Sequence, residues 1–498
     1  MSSPSILDDS IGARAERIAS DAVASLRSRR FSQLIDGELV AGATSQGVID
    51  PATELTIATV PVADNAQIDQ AVDAAKRAFA TWRKTDLSER IAIVQSIIER
   101  IEQHRDDIAQ LTTLEMGKPY EAALGDVDLA LTWARDTAAD VTRILTPLIA
   151  REDETVRVEV RRKPIGVVAA IVPWNFPFFQ SVYKLVPAVL TGNTVVLKPA
   201  PTSPLNGLLL GEIIADIVPA GVVNVIGDGG DAGPVLVAHP GVGKVSFTGS
   251  TAAGRRVLGD SAATLRHVVL ELGGNDAALV LDDADIAEVA RGIFPWAFLN
   301  TGQVCINIKR IFVPRARYDE FCEVFAGIAN NAKIGHGLDP LTEFGPLAHS
   351  RQYEAAKSYV EVAHRDGAVI AGGSIPEGPG YFVPPTVVRD VDPNSTLIRE
   401  ETFGPVRSII AYDDVDEAIE LINDTIYGLG NSVWSSDIDR AVEVADQLES
   451  GSVWINEHFA LYPDVPFGGQ KQSGVGTEFG DEGVLLFTEI QALSIPKH

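Results

Sequence analysis

The sequence predicts an α/β protein organised around a doubly wound parallel sheet, with a second α/β domain following it, and three observations carry that prediction. Between residues 165 and 272, apolar runs of strand length alternate with helix-length segments, the pattern of βαβ units. The runs at 165–172, 194–197, 222–226 and 245–247 are nearly continuously apolar, as strands covered on both faces are. At 498 residues the chain is also too long for one core.

Taken in order, residues 1–30 show weak helical periodicity (Ile18, Val23, Leu26) and read as a loosely docked extension. They lack the continuous apolar core of a secretory signal, so a cytoplasmic location is expected. Residues 31–62 carry short apolar runs broken by Asp36-Gly37 and Asp50-Pro51, turn signals that predict a small sheet. From Asn65 to about Arg143 the pattern is helical, with a break at Gly117-Lys118-Pro119. Residues 157–162 alternate basic residues with Val and Glu, the look of an exposed strand able to pair with another chain. After Gly273 a second α/β region runs to about Glu449, with strands expected at 308–313, 408–412 and 431–434. The chain then returns through Pro466-Phe467-Gly468-Gly469 to a strand at 485–494, expected to pair with the 157–162 strand of a partner subunit.

Composition narrows the function. Hydrophobic residues make up 46% and charged residues 22%, and no apolar run reaches membrane-span length. The net charge of −27 would repel nucleic acid and anionic membrane surfaces, so neither is expected as a partner. Cys305 and Cys322 are the two cysteines, too few for a disulfide framework or a four-cysteine metal site. The eight histidines show no metal-ligand spacing, and no catalytic metal is expected.

The stretch Phe298-Leu299-Asn300-Thr301-Gly302-Gln303-Val304-Cys305 ends an apolar run in a polar turn, where a thiol with a lowered pKa would be a nucleophile. Alone, a buried structural cysteine is the simpler reading, and Cys322, within Phe321-Cys322-Glu323, is read as helix packing. Other stretches supply company for Cys305. Trp174-Asn175 follows the first strand of the series, placing an amide able to donate to an oxyanion at the ligand edge of the sheet. Lys198-Pro199 ends the next strand, where a ribose hydroxyl or phosphate would lie. Phe247-Thr248-Gly249-Ser250-Thr251 leads into a helix whose positive end suits a pyrophosphate. Glu271-Leu272-Gly273-Gly274 closes the fifth strand; a carboxylate in apolar surroundings has its pKa raised toward general-base range, and the glycines leave room beside it. Glu400-Glu401-Thr402-Phe403 offers an acid for ribose hydroxyls and an aromatic ring to back a planar group. Each also has an ordinary reading as a turn, cap or solvated strand end.

These stretches, in this order, resemble the aldehyde dehydrogenase superfamily from about Phe31 onward. Residues 423–429 (Asn-Asp-Thr-Ile-Tyr-Gly-Leu) and 466–476 (Pro-Phe-Gly-Gly-Gln-Lys-Gln-Ser-Gly-Val-Gly) are similar to further family signatures. The resemblance implies a Rossmann-like NAD(P)-binding domain at 31–145 and 161–273 and a catalytic domain at 274–449. It also implies subunit-joining strands at 146–160 and 480–498, with 450–479 as a returning segment, in a homodimer or homotetramer. By that likeness Cys305 attacks the aldehyde, and Asn175 with the Cys305 N–H stabilises the oxyanion. Glu271 activates the water that hydrolyses the thioester, and Lys184 supports the site. Ile171, Trp174, Lys198, Pro201, Gly229, Gly249, Ser250, Leu272, Glu401 and Phe403 fall at coenzyme-holding positions.

One departure concerns the coenzyme. Many members that prefer NAD carry an acid after Lys-Pro-Ala, whereas this chain reads Lys198-Pro199-Ala200-Pro201. NADP is possible on that ground, but no Arg lies between Pro199 and Leu210 and Asp228 and Asp231 oppose a 2′-phosphate, which favours NAD. The resemblance also places residues 176–183 along the substrate tunnel, with one of Phe178 and Phe179 facing the core. Members acting on carboxylate-bearing semialdehydes tend to have Arg at the position of Tyr183. With Leu299, Val304, Ile306 and Leu461 near the thiol, uncharged apolar or aromatic aldehydes are the expected substrates. The alternatives are a CoA-acylating semialdehyde dehydrogenase, opposed by Glu271, and a non-catalytic binding protein, opposed by Cys305, Glu271 and Asn175 together.

Overall fold

The computed structural model describes residues 11–497. An eight-stranded sheet runs in the order Glu38–Val40, Gln33–Ile35, Val223–Val225, Thr194–Lys198, Val167–Ile171, Lys244–Thr248, His267–Glu271, Gly474–Val475. Its five central strands are parallel and buried on both faces along most of their length, in keeping with their mostly apolar runs. From Val167–Ile171 the chain winds outward through Thr194–Lys198 to Val223–Val225, then crosses to Lys244–Thr248 on the other side. The strand order therefore reverses between Val167–Ile171 and Lys244–Thr248, and a ligand crevice opens outside the carboxyl ends at such a point.

The predicted helical region forms the helices Asn65–Trp82, Leu87–Gln103, Arg105–Met116 and Tyr120–Leu145. Asp64 caps the first by accepting from the Gln67 N–H at 2.9 Å. Gly117 ends the third in a left-handed turn (φ 89°), where a Cβ would come within 2.6 Å of the Pro346 ring.

A second sheet runs Ala368–Ala371, Thr386–Arg389, Val406–Tyr412, Arg310–Pro314, Ala277–Val280, Gly430–Trp434, Ser452–Ile455, parallel except for the first pair. The three strands expected here are present within a few residues of their predicted positions. Ser452–Ile455 and Gly474–Val475 also give the returning segment a structural job, since one completes each sheet.

Three expectations change. Residues 31–62 do not make one small sheet: the hairpin of Gln33–Ile35 and Glu38–Val40 joins the large sheet through Leu34 opposite Val225, and Thr44–Ile49 with Thr56–Val62 forms a separate hairpin. The N-terminal segment is docked rather than loose, because the helix Ile11–Ser28 buries Ala15, Ala19, Val23 and Leu26 and Arg29 pairs with Glu212 at 2.9 Å. The strand Thr488–Pro496 pairs antiparallel with Val156–Pro164 of its own chain over its whole length, not with that strand of a partner. Intrachain pairing satisfies the backbone groups that the exposed sequence left unassigned. With Leu148–Glu152 these strands make a three-stranded arm carrying exposed Leu148 (64%) and Ile490 (67%). Among the described residues no helix is long and apolar enough to cross a membrane.

Candidate functional site

The helix Ile286–Phe298 ends in a turn, Leu299–Gly302, in which Asn300 (φ 53°), Thr301 (φ 55°) and Gly302 (φ 76°) are all left-handed. Such conformations persist only where the surroundings hold them. Thr301 Oγ1 donates to the Gly345 carbonyl at 2.9 Å and Gln303 Nε2 to the Asn300 carbonyl at 3.0 Å. The buried Arg407 guanidinium binds the carbonyls of Ala297 (2.6 Å), Gly404 (2.7 Å) and Gly302 (3.3 Å), tying this turn to the 402–406 loop. A side chain at Gly302 would come within 2.1 Å of the Gly404 carbonyl oxygen.

Cys305 follows this turn. The Asn175 side chain reaches it from the end of Val167–Ile171, with Nδ2 donating to the Gln303 carbonyl at 3.0 Å while Asn300 Nδ2 donates to the Asn175 carbonyl at 3.2 Å. One Asn175 N–H is thus committed to the turn, and the second meets no acceptor among the described residues. The Cys305 backbone N–H meets no acceptor among the described residues.

The thiol and the Glu271 carboxyl line one cavity of about 50 Å³, together with Leu129, Phe176, Phe179, Gln180, Tyr183, Thr248, Val304, Ile306, Phe459, Leu461, Phe467 and Phe479. No Lys or Arg is among them. Phe179 faces this cavity while Phe178 is 1% exposed in the core, the division expected from the sequence. Leu299 packs against the core and does not line the cavity. Phe459, Phe467 and Phe479 are walls that sequence reasoning did not assign.

Burial governs the electrostatics. The Glu271 carboxyl has neither oxygen hydrogen-bonded among the described residues, and burial followed by the nearby Glu478 charge pushes its pKa well above the usual carboxylate range, while Lys184 opposes the rise. This agrees in direction with the sequence reading. The expected lowering of the thiol is not found: burial pushes Cys305 up to about 12. A polar turn in the sequence does not reveal that apolar side chains close over the sulfur. Lys184 sits in a fully buried pair with Glu478 (2.7 Å) and donates to Ser246 Oγ at 3.0 Å, so it acts on Glu271 through charge. Glu478 was missed, because nothing local to Gly476-Thr477-Glu478 signals a site.

The coenzyme candidates gather at the carboxyl edge. Ile171, Trp174, Lys198, Pro201, Gly249, Ser250 and Leu272 follow or end the parallel strands, and Gly229 follows Val223–Val225. Glu401 and Phe403 arrive from the second domain, where Phe403 meets Trp174 edge-on at 5.5 Å. Ser250 caps the helix Thr251–Ala262 by accepting from Ala253 N–H, leaving other first-turn N–H groups for an anion. Lys198 Nζ donates to Asp228 Oδ2 at 2.6 Å, and Asp228 Oδ1 accepts from Gly230 N–H at 2.6 Å and Ala232 N–H at 3.0 Å. The space beside Gly273 and Gly274 is taken by Glu401, whose Oε1 accepts the Gly274 N–H at 3.1 Å. A Cβ on Gly273 would lie 2.2 Å from its other oxygen. The glycines therefore admit a carboxylate from the neighbouring domain, a partner the sequence reading had not foreseen.

The sequence model described as the aldehyde dehydrogenase family matches residues 40–493. A geranial dehydrogenase of Castellaniella defragrans is 39% identical, over 90% of this chain and 95% of its own length. A phenylacetaldehyde dehydrogenase of Pseudomonas fluorescens is 36% identical, over 93% and 95%. The NAD+ complex structure of an aldehyde dehydrogenase from Bacillus cereus superposes with TM-score 0.92 at 36% identity, covering 95% of this chain and 98% of that one.

Proposed function

Because this chain belongs to the aldehyde dehydrogenase family, we propose that it oxidises uncharged apolar or aromatic aldehydes to carboxylic acids, with NAD as coenzyme and Cys305 as covalent nucleophile. The observation that carries this reading is the shared cavity: a thiol and a carboxyl open into one space whose other walls are almost wholly apolar and hold no cation. A desolvated substrate carboxylate would find no partner there. The similarity to enzymes named for geranial and phenylacetaldehyde points the same way.

The chain's own groups divide the work. Cys305 Sγ, its proton released to solvent, bonds to the carbonyl carbon, and the oxyanion accepts from Asn175 Nδ2 and the Cys305 N–H. Bound NAD supplies the hydride acceptor. With the acyl group on sulfur, the ionised Glu271 carboxylate takes a proton from the water that attacks the thioester and hands it to the departing sulfur, releasing the acid and restoring the thiol. Burial favours the protonated form of both groups, so each must lose its proton before it acts.

The residues present fit NAD. The helix end at Ser250 offers N–H groups to a pyrophosphate, and Trp174, Lys198, Glu401 and Phe403 border the same groove. The Lys198 charge is already matched by Asp228, so a 2′-phosphate would meet a neutralised pair, which supports NAD over NADP. The division into a coenzyme domain, a catalytic domain and a subunit-joining arm accounts for the two sheets and for the exposed apolar residues on the third, and a homodimer or homotetramer would cover them.

Comparing kcat/KM for phenylacetaldehyde with that for succinic semialdehyde tests the substrate class. The uncharged aldehyde is expected to lead by about a hundredfold or more; parity, or preference for the acid, would overturn the reading.

A further inference from the structure

Lys309, four residues past Cys305, is fully buried at the start of the strand Arg310–Pro314. Its Nζ donates to the carbonyl oxygens of Val304 (3.1 Å) and Cys305. Its own N–H donates to the Asp276 carbonyl oxygen at 2.9 Å. The Asp276 side chain is buried as well, and its Oδ2 has no hydrogen-bond partner among the described residues.

A buried ammonium and a buried carboxylate are each costly and persist where their charges are balanced. The ordinary structural use of a cation here, filling carbonyl oxygens, already belongs to the neighbour: Arg310 binds the carbonyls of Asn275 (2.9 Å), Leu421 (3.1 Å) and Ile422 (3.0 Å). Lys309 instead holds the carbonyl of the very residue that carries the thiol.

We propose that Lys309 is a positioning residue for the nucleophile: it fixes the Cys305 main chain and supplies the positive charge that lets the thiol ionise, and Asp276 is the counter-charge that limits this effect. The proposal rests on the reading of Cys305 as nucleophile. The charged groups around the sulfur agree in sign. After burial, which raises the thiol, Lys309 favours the thiolate, while Glu401, Asp276 and Glu271 oppose it. Asp276, raised to about 7 by burial, is in turn pulled down chiefly by Lys309.

The chain has two thiols, Cys305 and the core residue Cys322, so iodoacetamide alkylation of the full-length enzyme in a Cys322→Ala background reads Cys305 alone. Because the thiolate is the reacting form, the rate constant at fixed pH follows its population. Lys309→Gln is expected to slow alkylation at least about tenfold and Lys309→Arg to restore much of the rate, whereas Asp276→Asn is expected to accelerate it several-fold. Opposite signs identify a charge effect, since loosening the turn would move both variants in one direction. Shifts of the same sign, or rates within about twofold of the parent for both, overturn the proposal. If Lys309→Gln fails to fold, Asp276→Asn and Lys309→Arg still decide it. Alkylation is independent of turnover, so failure of the nucleophile reading shows separately, as persistent activity in Cys305→Ala.

Discussion

Cys305 and Cys322 are chemically the same group, the first half-buried and the second buried, and burial pushes each up to about 12. Each also has a cation favouring its ionisation, Lys309 for Cys305 and Arg389 for Cys322. What separates them is the backbone and the space in front of the sulfur. Cys322 lies in the helix Tyr318–Ala329, which uses its N–H internally, and packs into the core that this helix and Ile286–Phe298 form against the second sheet, beside Phe321 and Phe325. Cys305 lies in a turn where its N–H is free, Asn175 has an N–H to spare, and a cavity joins the thiol to Glu271. Thiol acidity alone therefore does not set Cys305 apart as the proposed nucleophile; the neighbouring carboxyl and the unpaired donors do.

The comparison breaks most visibly under substitution to alanine. Cys305→Ala is expected to lower turnover by about 10⁴-fold or more while reduced-coenzyme binding, followed by fluorescence, stays near that of the parent. Cys322→Ala is expected to keep turnover within about twofold. Appreciable activity in the first variant would erase the distinction.

Glu271→Gln should come next in size, with steady-state turnover down by about 10² to 10⁴-fold. Rapid mixing is expected to show a burst of reduced coenzyme before the slow phase, because the amide can no longer take the proton of the hydrolytic water. Loss of the burst, with acylation itself slowed, would move the base to the first half of the reaction.

The pH dependence follows from the sign of the same shift. Glu271 works as a base only when ionised, and burial raises its pKa, so deacylation should rise with pH through an inflection well above the usual carboxylate range. A kcat profile already flat above about pH 5 would contradict the burial argument.

The smallest effect belongs to stability. Cys322→Ala removes a fully packed sulfur and is expected to cost about 1 kcal/mol in denaturant unfolding, against little or no loss for Cys305→Ala, whose side chain borders a cavity. Equal losses would place both thiols in comparable packing.

Much of this site was legible before the fold was known. The largely apolar strands of residues 165–272 announced a parallel sheet, and their ends and the turns after them carried Asn175, Lys198, Ser250 and Glu271, all of which the sheet gathers along one edge. Phe178 and Phe179 divided between core and cavity as their helical spacing allows. The arm was read correctly as strands but with the wrong partner, since an exposed strand pattern says that backbone groups need pairing without saying from which chain.

The sequence by itself determined the order of elements, the βαβ winding, and which residue types stand at the strand ends, because periodicity and turn chemistry are local properties. Tertiary structure alone decided the charges. Lys309, Asp276 and Glu478 carry no local signal, and whether a carboxyl or thiol ionises depends on how many apolar and charged groups from distant segments close over it. That is why the turn around Cys305 could read as polar while burial raises the thiol within it, and why, Lys309 apart, the charged groups that act on it, Glu271, Asp276 and Glu401, come from distant parts of the chain.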